Sequence, residues 1–318
     1  MKITVLDAGS LNFEKNEWKA LEPLGSCSIY DNTSYDAVVE ACQGAEIALT
    51  NKVPFTRETL QQLPDLKLIS VLATGYDCID IEAARELGVT VCNVPGYSTQ
   101  STAQHAISLI LELCNRVGLH DDSVQAGEWV DSEYFCYWKQ APLELTDLTV
   151  GIFGFGAIGR CVAEVLHVLG ARIIASARTP KDAPAWEGFA WASPEALFEQ
   201  SDILTFHCPL TAATQGIVNK KNLARMKKTA FVVNAARGGL VNEHDLAEAL
   251  NQGVIAGAAV DVVSKEPMLK DCPLLGAKNC IITPHIAWAS LRSRRELLAQ
   301  TVRNIEAFSK GMPVCVVN

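Results

Sequence analysis

Residues 151–159 read Gly-Ile-Phe-Gly-Phe-Gly-Ala-Ile-Gly and place Gly154, Gly156 and Gly159 in the spacing GxGxxG. The apolar run Thr149–Phe153 leading into them has the character of a strand, and Arg160–Leu169 after them has helical apolar spacing. In a strand–turn–helix setting each glycine has its own task. Gly154 permits a tight turn, Gly156 lets backbone approach a pyrophosphate, and Gly159 lets helix and strand pack closely. The helix N-terminus then offers unpaired N–H groups and partial positive charge to the phosphates. An ordinary tight turn is the plain alternative, and the flanking elements argue against it. The chain is therefore expected to contain a Rossmann-type dinucleotide-binding half.

The same fingerprint expects an acid about 20 residues on, at the end of the next strand, to hold the ribose hydroxyls. That strand is Arg172–Ala177, and it runs into Arg178 and Thr179. Asp182 lies beyond a proline, too far along. An acid here would repel a 2′-phosphate, so its absence removes the element that excludes NADP(H). Ser176, Arg178, Thr179 and Lys181 supply hydroxyls and positive charge in its place. Arg178 is the best single candidate, because a guanidinium grips phosphate in a fork. NADPH is expected to be accepted at least as well as NADH.

At 318 residues the chain has room for two domains. Strand-like and helix-like segments alternate twice. The first series has strands at Lys2–Asp7, Ile47–Thr50, Leu66–Leu72 and Val89–Val94. Its helices are Tyr35–Cys42 with Ser34 as N-cap, Thr56–Leu63, and Ile81–Leu87 closed by Gly88. A long apolar helix, Ser101–Val117, and an irregular aromatic stretch from Gly127 to Asp147 separate it from the second. The second series has strands at 149–153, 172–177, 203–207, 230–234, 255–262 and 280–283, and a last helix spans Ser290–Phe308. Such a rhythm predicts α/β architecture with two doubly wound parallel-sheet domains. The second is inserted, since the last helix can return to the first. The boundaries fall at 1–99 plus 287–318 for the first domain and 100–286 for the second.

Composition excludes several classes. The chain carries 27 Lys and Arg against 36 Asp and Glu, a net charge of −9 with no basic run, which suits neither nucleic acid nor an anionic membrane. No apolar run is long enough to span a bilayer, and MKITVLDAG reads as a first strand rather than a secretory signal. The eleven cysteines are scattered, with no CxxC pair and no Cys/His cluster of metal spacing. They read as free thiols of a reducing cytoplasm, and no metal is expected. Cys208, just past a strand, is the one thiol placed where a nucleophile could act.

Three polar groups follow successive strands of the second series: Arg237 in Asn-Ala-Ala-Arg-Gly-Gly, Glu266 in the run from Asp261, and His285 in Thr-Pro-His. Open α/β sheets bind ligands at such strand ends. Each residue alone has a bland reading, as a surface ion pair or a structural histidine. Together they fit one chemistry. A guanidinium can bind a 2-oxo acid through both carboxylate and carbonyl. An imidazole can protonate the alkoxide formed by hydride addition. A carboxylate beside that imidazole would orient it.

These segments, with ATGYDCID, HCPLT and TPHIAW, resemble the D-isomer-specific 2-hydroxyacid dehydrogenases along essentially the whole chain. The resemblance implies Arg237, Glu266 and His285 as the catalytic set and Ala73, Thr74 and Gly75 as the substrate-carboxylate loop. It implies NAD(P)(H) contacts at Thr102, Ala157, Ile158, His207, Pro209, Ala235 and Asp261. Neighbours in the same segments, Ala177, Arg178, Thr179, Cys208, Thr214, Ala236 and Ala287, complete the expected cofactor set. Thr102 stands where the family usually has valine. The implied fold is a flavodoxin-like substrate domain with an inserted Rossmann NAD(P)-binding domain, assembled as a homodimer. For the dimer the helix Ala103–Leu113 and the segment Trp129–Trp138 offer apolar surface.

The runs Phe135–Trp138 and His285–Trp288 most resemble the glycerate dehydrogenase (hydroxypyruvate reductase) branch, with Trp288 in the substrate pocket. Glu266 argues against a formate dehydrogenase, which usually has Gln beside the His. D-lactate and broad 2-oxoacid reductases, and an NAD(H)-sensing corepressor on the same fold, are the alternatives. Turnover of hydroxypyruvate with NADH or NADPH separates an enzyme from a sensor.

Overall fold

The computed structural model describes residues 1–11, 17–146, 148–180 and 183–318, so Lys181 and Asp182 lie outside the described residues. Contacts divide the chain into two units, residues 1–98 with 289–318, and residues 99–288.

The first unit begins with β1 (Lys2–Val5), β2 (Ser26–Ile29), α1 (Val38–Ala41), β3 (Ile47–Thr50), α2 (Arg57–Gln61), β4 (Leu68–Val71), α3 (Ile81–Glu86) and β5 (Thr90–Cys92). Its strands are all parallel, in the order β2-β1-β3-β4-β5. β3 and β4 are buried at every residue, as strands covered on both faces must be. Thr56 and Asp80 cap α2 and α3 by accepting the N–H groups of Thr59 and Ala83.

One expectation needs correction here. Tyr35–Cys42 is not one helix: Tyr35–Ala37 is a 3-10 turn, α1 follows, and the Ser34 side chain makes no capping bond. The half-exposed edge strand β2, Ser-Cys-Ser-Ile, lacks the apolar run that announces a strand.

The order reverses between β1 and β3, the place where such a sheet can take an anion. Here the chain supplies its own. The buried Asp7 carboxylate accepts the N–H groups of Asn51 (2.8 and 2.9 Å), Lys52 (2.7 Å) and Val53 (3.4 Å).

The second unit opens with α4 (Thr99–Asn115) and α5 (Val117–Gln125). Arg116 between them adopts a left-handed backbone, φ 51°, which ends the helix predicted over Ser101–Val117 and starts a second, unpredicted one. Then come β6 (Thr149–Phe153), α6 (Ala157–Val168), β7 (Arg172–Ser176), β8 (Phe189–Trp191), α7 (Pro194–Gln200), β9 (Ile203–Phe206), α8 (Lys220–Leu223), β10 (Phe231–Asn234), α9 (Glu243–Gln252), β11 (Gly257–Val260) and β12 (Cys280–Ile282). The seven strands are parallel in the order β12-β11-β10-β9-β6-β7-β8, the doubly wound Rossmann arrangement with one further strand. Its reversal point lies between β6 and β9, so the glycine-rich turn after β6 and the loop after β9 flank one crevice. The final helix α10 (Leu291–Ser309), capped by Ser290, packs on β4 of the first unit.

The apolar face of α4 is not free surface. Ala103, Ala106, Leu109, Ile110 and Leu113 are buried with Val162 and Leu166 of α6, Val233 of β10 and Ala259 of β11. That corrects the reading of Ala103–Leu113 as apolar surface for a subunit contact. The aromatic stretch behaves differently: Trp129, Val130, Tyr134, Phe135 and Trp138 are exposed, Phe135 at 89%. No helix among the described residues is long and apolar enough to cross a membrane.

A Cβ on Gly159 would lie 2.1 Å from the Gly154 carbonyl oxygen, whereas a Cβ on Gly156 meets nothing within 4 Å. Gly159→Ala is therefore expected to destabilise the fold by about 1–3 kcal/mol, and Gly156→Ala by little. Thermal unfolding of the two variants checks this. Equal melting temperatures would remove the packing role of Gly159.

Candidate active site

The turn from β6 into α6 has the form a phosphate cradle needs. Gly154 sits at φ 98°, and a Cβ there would lie 2.7 Å from His207 carbonyl atoms and the Cys208 nitrogen. A glycine is thus required both by backbone angle and by the close approach of the loop after β9. Gly156 is the N-cap of α6 and carries no side chain, so the space in front of the helix N-terminus is open. Ala157, Ile158 and Gly159 form the first turn, which holds no acidic residue. An open glycine face below unpaired helical N–H groups fits a pyrophosphate.

At the end of β7 Ser176 is buried, and beyond it Ala177 is half-buried and Arg178 and Thr179 are exposed. No carboxylate pairs with Arg178 among the described residues, and none stands between Ser176 and Pro180.

After β9, the His207 imidazole bonds the Thr205 hydroxyl at 3.0 Å, and burial lowers its pKa to about 4, so the ring is neutral near pH 7. Burial pushes the Cys208 thiol up to about 11. It is a protonated, packed thiol, which removes it as a nucleophile. Pro209 and Thr214 close the next turn: the Thr214 hydroxyl donates to the Pro209 carbonyl at 2.8 Å and accepts the Thr211 N–H at 2.8 Å.

The loop after β10 is folded by Asn234, wholly buried at the strand end. Its side chain accepts the Ala236 N–H at 3.0 Å and donates to the Arg237 carbonyl at 2.9 Å. Ala235 is buried, Ala236 and Arg237 half-buried, and the Arg237 guanidinium donates to the Ala236 carbonyl at 2.9 Å. Gly238 follows because nothing larger fits: its Cβ would lie 2.0 Å from the Val263 carbonyl group. That contact seats the Arg237 loop against the loop after β11, which carries Glu266.

Glu266 links the last two loops. Its Oε1 accepts the Val263 N–H at 3.2 Å, and its Oε2 lies 2.7 Å from His285 Nδ1. Glu243, at the start of α9, steadies the same loop by accepting the Ser264 N–H at 2.6 Å. His285 itself has a left-handed backbone, φ 53°, and Asp261 grips its turn. The Asp261 carbonyl accepts the His285 N–H at 2.8 Å. Its carboxylate accepts the N–H groups of Ile286 (3.0 Å) and Ala287 (2.9 Å) and the Thr283 hydroxyl (2.6 Å). Burial raises the Asp261 carboxyl, but hydrogen bonds from His105, Thr283, Ala287 and Ile286 outweigh it and hold the group below its ordinary value. Thr102 is buried in the first turn of α4, and the neighbouring Ser101 hydroxyl donates to the Ala287 carbonyl at 2.7 Å. Trp288, half-buried, follows directly.

In the first unit, Ala73, Thr74 and Gly75 follow β4. The Val94 N–H donates to the Ala73 carbonyl at 3.0 Å, the Thr74 hydroxyl to the Val94 carbonyl at 2.9 Å, and the Asn93 side chain to the Thr74 carbonyl at 2.7 Å.

The expected catalytic residues thus follow three adjacent strands, β10, β11 and β12, with Glu266 and His285 in direct contact. Asn234, Glu243, His105 and Thr283 were not singled out from sequence. The available signal was a polar residue closing an apolar strand, visible for Asn234 and Thr283. Nothing local marks Glu243 or His105. Among the described residues, no group of three or more His, Cys, Asp or Glu could hold a metal ion.

Residues 107–287 match the family model described as D-isomer specific 2-hydroxyacid dehydrogenase, NAD binding domain. The chain is 44% identical to the hydroxypyruvate reductase of Blautia hydrogenotrophica, over 100% of both chains. It is 39% identical to the glycerate dehydrogenase of Methylorubrum extorquens, over 99% of this chain and 98% of that one. Among solved structures it resembles an NADPH-dependent glyoxylate/hydroxypyruvate reductase from Sinorhizobium meliloti in complex with NADP and malonate. The TM-score is 0.87 at 28% identity, covering 99% of this chain and 96% of the other. The chain therefore belongs to the D-isomer-specific 2-hydroxyacid dehydrogenase family.

Proposed function

We propose that this enzyme reduces hydroxypyruvate or glyoxylate to the corresponding 2-hydroxy acid, with Arg237, Glu266 and His285 as its catalytic residues. The observation that carries the reading is the 2.7 Å bond from His285 Nδ1 to Glu266, at the ends of β12 and β11, the latter next to the strand that carries Arg237. A carboxylate accepts, so Nδ1 holds a proton and Nε2 is the face turned to chemistry. Gly154, Gly156 and the α6 N-terminus would hold the dinucleotide, which when bound would supply the hydride. Arg237 binds the substrate carboxylate and polarises the carbonyl. His285 gives the Nε2 proton to the oxygen that becomes the alcohol, and Glu266 stabilises the imidazolium that donates it. The loop Ala73–Gly75 is assigned to the substrate carboxylate and Trp288 to the substrate pocket.

His285→Ala is expected to lower turnover roughly a hundredfold or more, the scale of a lost general acid, while dinucleotide affinity changes little. Steady-state kinetics with fluorescence titration of the dinucleotide checks this, and near-normal turnover would sink the assignment.

The names of the two relatives favour hydroxypyruvate, whose C3 carries a hydroxyl, over pyruvate, whose C3 is a methyl group. The strand end without an acid, with exposed Arg178 and Thr179, favours NADPH. One panel tests both: hydroxypyruvate, glyoxylate and pyruvate, each with NADH and NADPH, on wild type and Arg178→Ala. Hydroxypyruvate or glyoxylate should exceed pyruvate in kcat/KM, and the variant should lose specifically with NADPH. A higher kcat/KM for pyruvate rejects the substrate reading. A strong wild-type preference for NADH rejects the cofactor reading.

We place the enzyme in a reducing cytoplasm, since all eleven cysteines are free. We further propose a homodimer that covers the exposed aromatics Trp129, Tyr134, Phe135 and Trp138, more apolar surface than a monomer usually leaves in water. Light scattering at micromolar concentration should give twice the mass of one chain; the mass of a single chain rejects the dimer. Cell fractionation locates the protein, and recovery outside the cytoplasm rejects that placement.

A further inference from the structure

The segment Thr102-Ala-Gln-His105 ends in a histidine that the reaction does not use. His105 stands on α4, and that helix is locked onto β10 and β11 by Ala103, Ala106 and Ile110. Its Nε2 lies 3.0 Å from the Thr283 hydroxyl oxygen and 3.3 Å from Asp261 Oδ1.

The direction of each bond follows from counting protons. The Thr283 hydroxyl has one proton, and at 2.6 Å it goes to the Asp261 carboxylate, which can only accept. Toward His105 the threonine oxygen is therefore an acceptor, and Nε2 must be the protonated nitrogen. His105 thus holds the hydroxyl in the orientation that serves Asp261, and it adds a donor beside a carboxylate that is 1% exposed. The same carboxylate carries the N–H groups of Ile286 and Ala287, which flank the left-handed backbone of His285. An unbroken run of hydrogen bonds leads from α4 through Thr283 and Asp261 to the turn that aims the His285 ring.

We propose that His105 is a positioning residue: its Nε2–H, acting through Thr283 and Asp261, holds the 283–287 turn so that the His285 imidazole stays in line with Glu266 and the substrate oxygen. The proposal rests on the reading of His285 as the proton donor. A histidine that merely fills space on α4 would do none of this.

The variants are His105→Leu, which keeps bulk and removes the donor, His105→Gln, whose side-chain amide can donate from a similar reach, and each of them combined with His285→Ala. Misplacing a reacting group by about an ångström can cost on the order of a hundredfold. His105→Leu is expected to lower kcat ten- to a hundredfold while KM for the 2-oxo acid stays within about twofold. His105→Gln should restore most of kcat, and neither change should lower turnover further once His285 is alanine. Wild-type kcat in His105→Leu overturns the proposal. So does an equal loss in the Leu and Gln variants that tracks a common fall in melting temperature, or a loss confined to KM. If His285→Ala alone keeps its turnover, the proton-donor reading fails instead, so the two failures are distinguishable.

Discussion

A buried carboxylate and a strained turn hold each other in place at the heart of the second unit. His285 adopts φ 53°, a backbone region that costs a non-glycine residue roughly 1–2 kcal/mol. Asp261, just past β11, is ionised in an environment that by itself would favour the neutral form. Neither is stable alone. The N–H groups of Ile286 and Ala287 and the Thr283 hydroxyl compensate the charge, and the charge compensates the strain. The requirement that both be met fixes the end of β12 to the end of β11, and with it the place from which the imidazole projects.

The neighbouring loops are fixed by close approach rather than by charge. Gly238 lets the loop after β10 press on the Val263 backbone, and Gly154 lets the glycine-rich turn press on His207 and Cys208. Each contact leaves no room for a Cβ. The strand ends that carry the glycine-rich turn, the guanidinium and the Glu–His pair are thus joined edge to edge along one side of a parallel sheet. The first unit treats its own sheet end differently. There Asp7 fills the anion-binding crevice with a side chain of the chain itself, which makes that crevice structural.

The two sheets differ in which of their strands a local residue pattern encodes. Strands buried on both faces, such as β3, β4, β9 and β10, are continuous apolar runs and are legible one by one. Edge strands are not. β2 is Ser-Cys-Ser-Ile and β8 is Phe-Ala-Trp, both half-exposed, and both exist because a neighbouring strand presents unpaired backbone. The break at Arg116 is likewise invisible in an apolar stretch, since it is a backbone reversal with no proline or glycine at the turn itself.

By itself the sequence determined the class of fold and the glycine-rich turn, and it singled out the three residues proposed for the reaction. It could do so because each is a local pattern: a period, a spacing, or a polar residue closing an apolar strand. The missing acid after β7 is legible for the same reason. What tertiary structure alone decided is who touches whom. Glu266 and His285 are 19 positions apart in sequence and 2.7 Å apart in space. Glu243 reaches Ser264, and His105 on α4 reaches the ends of two strands more than 150 positions further on. It also decided that the apolar face of α4 is core, because only the packed sheet shows what covers it. Hydrogen bonds and van der Waals contacts between distant segments depend on distance in space, and no local pattern of residues encodes that distance.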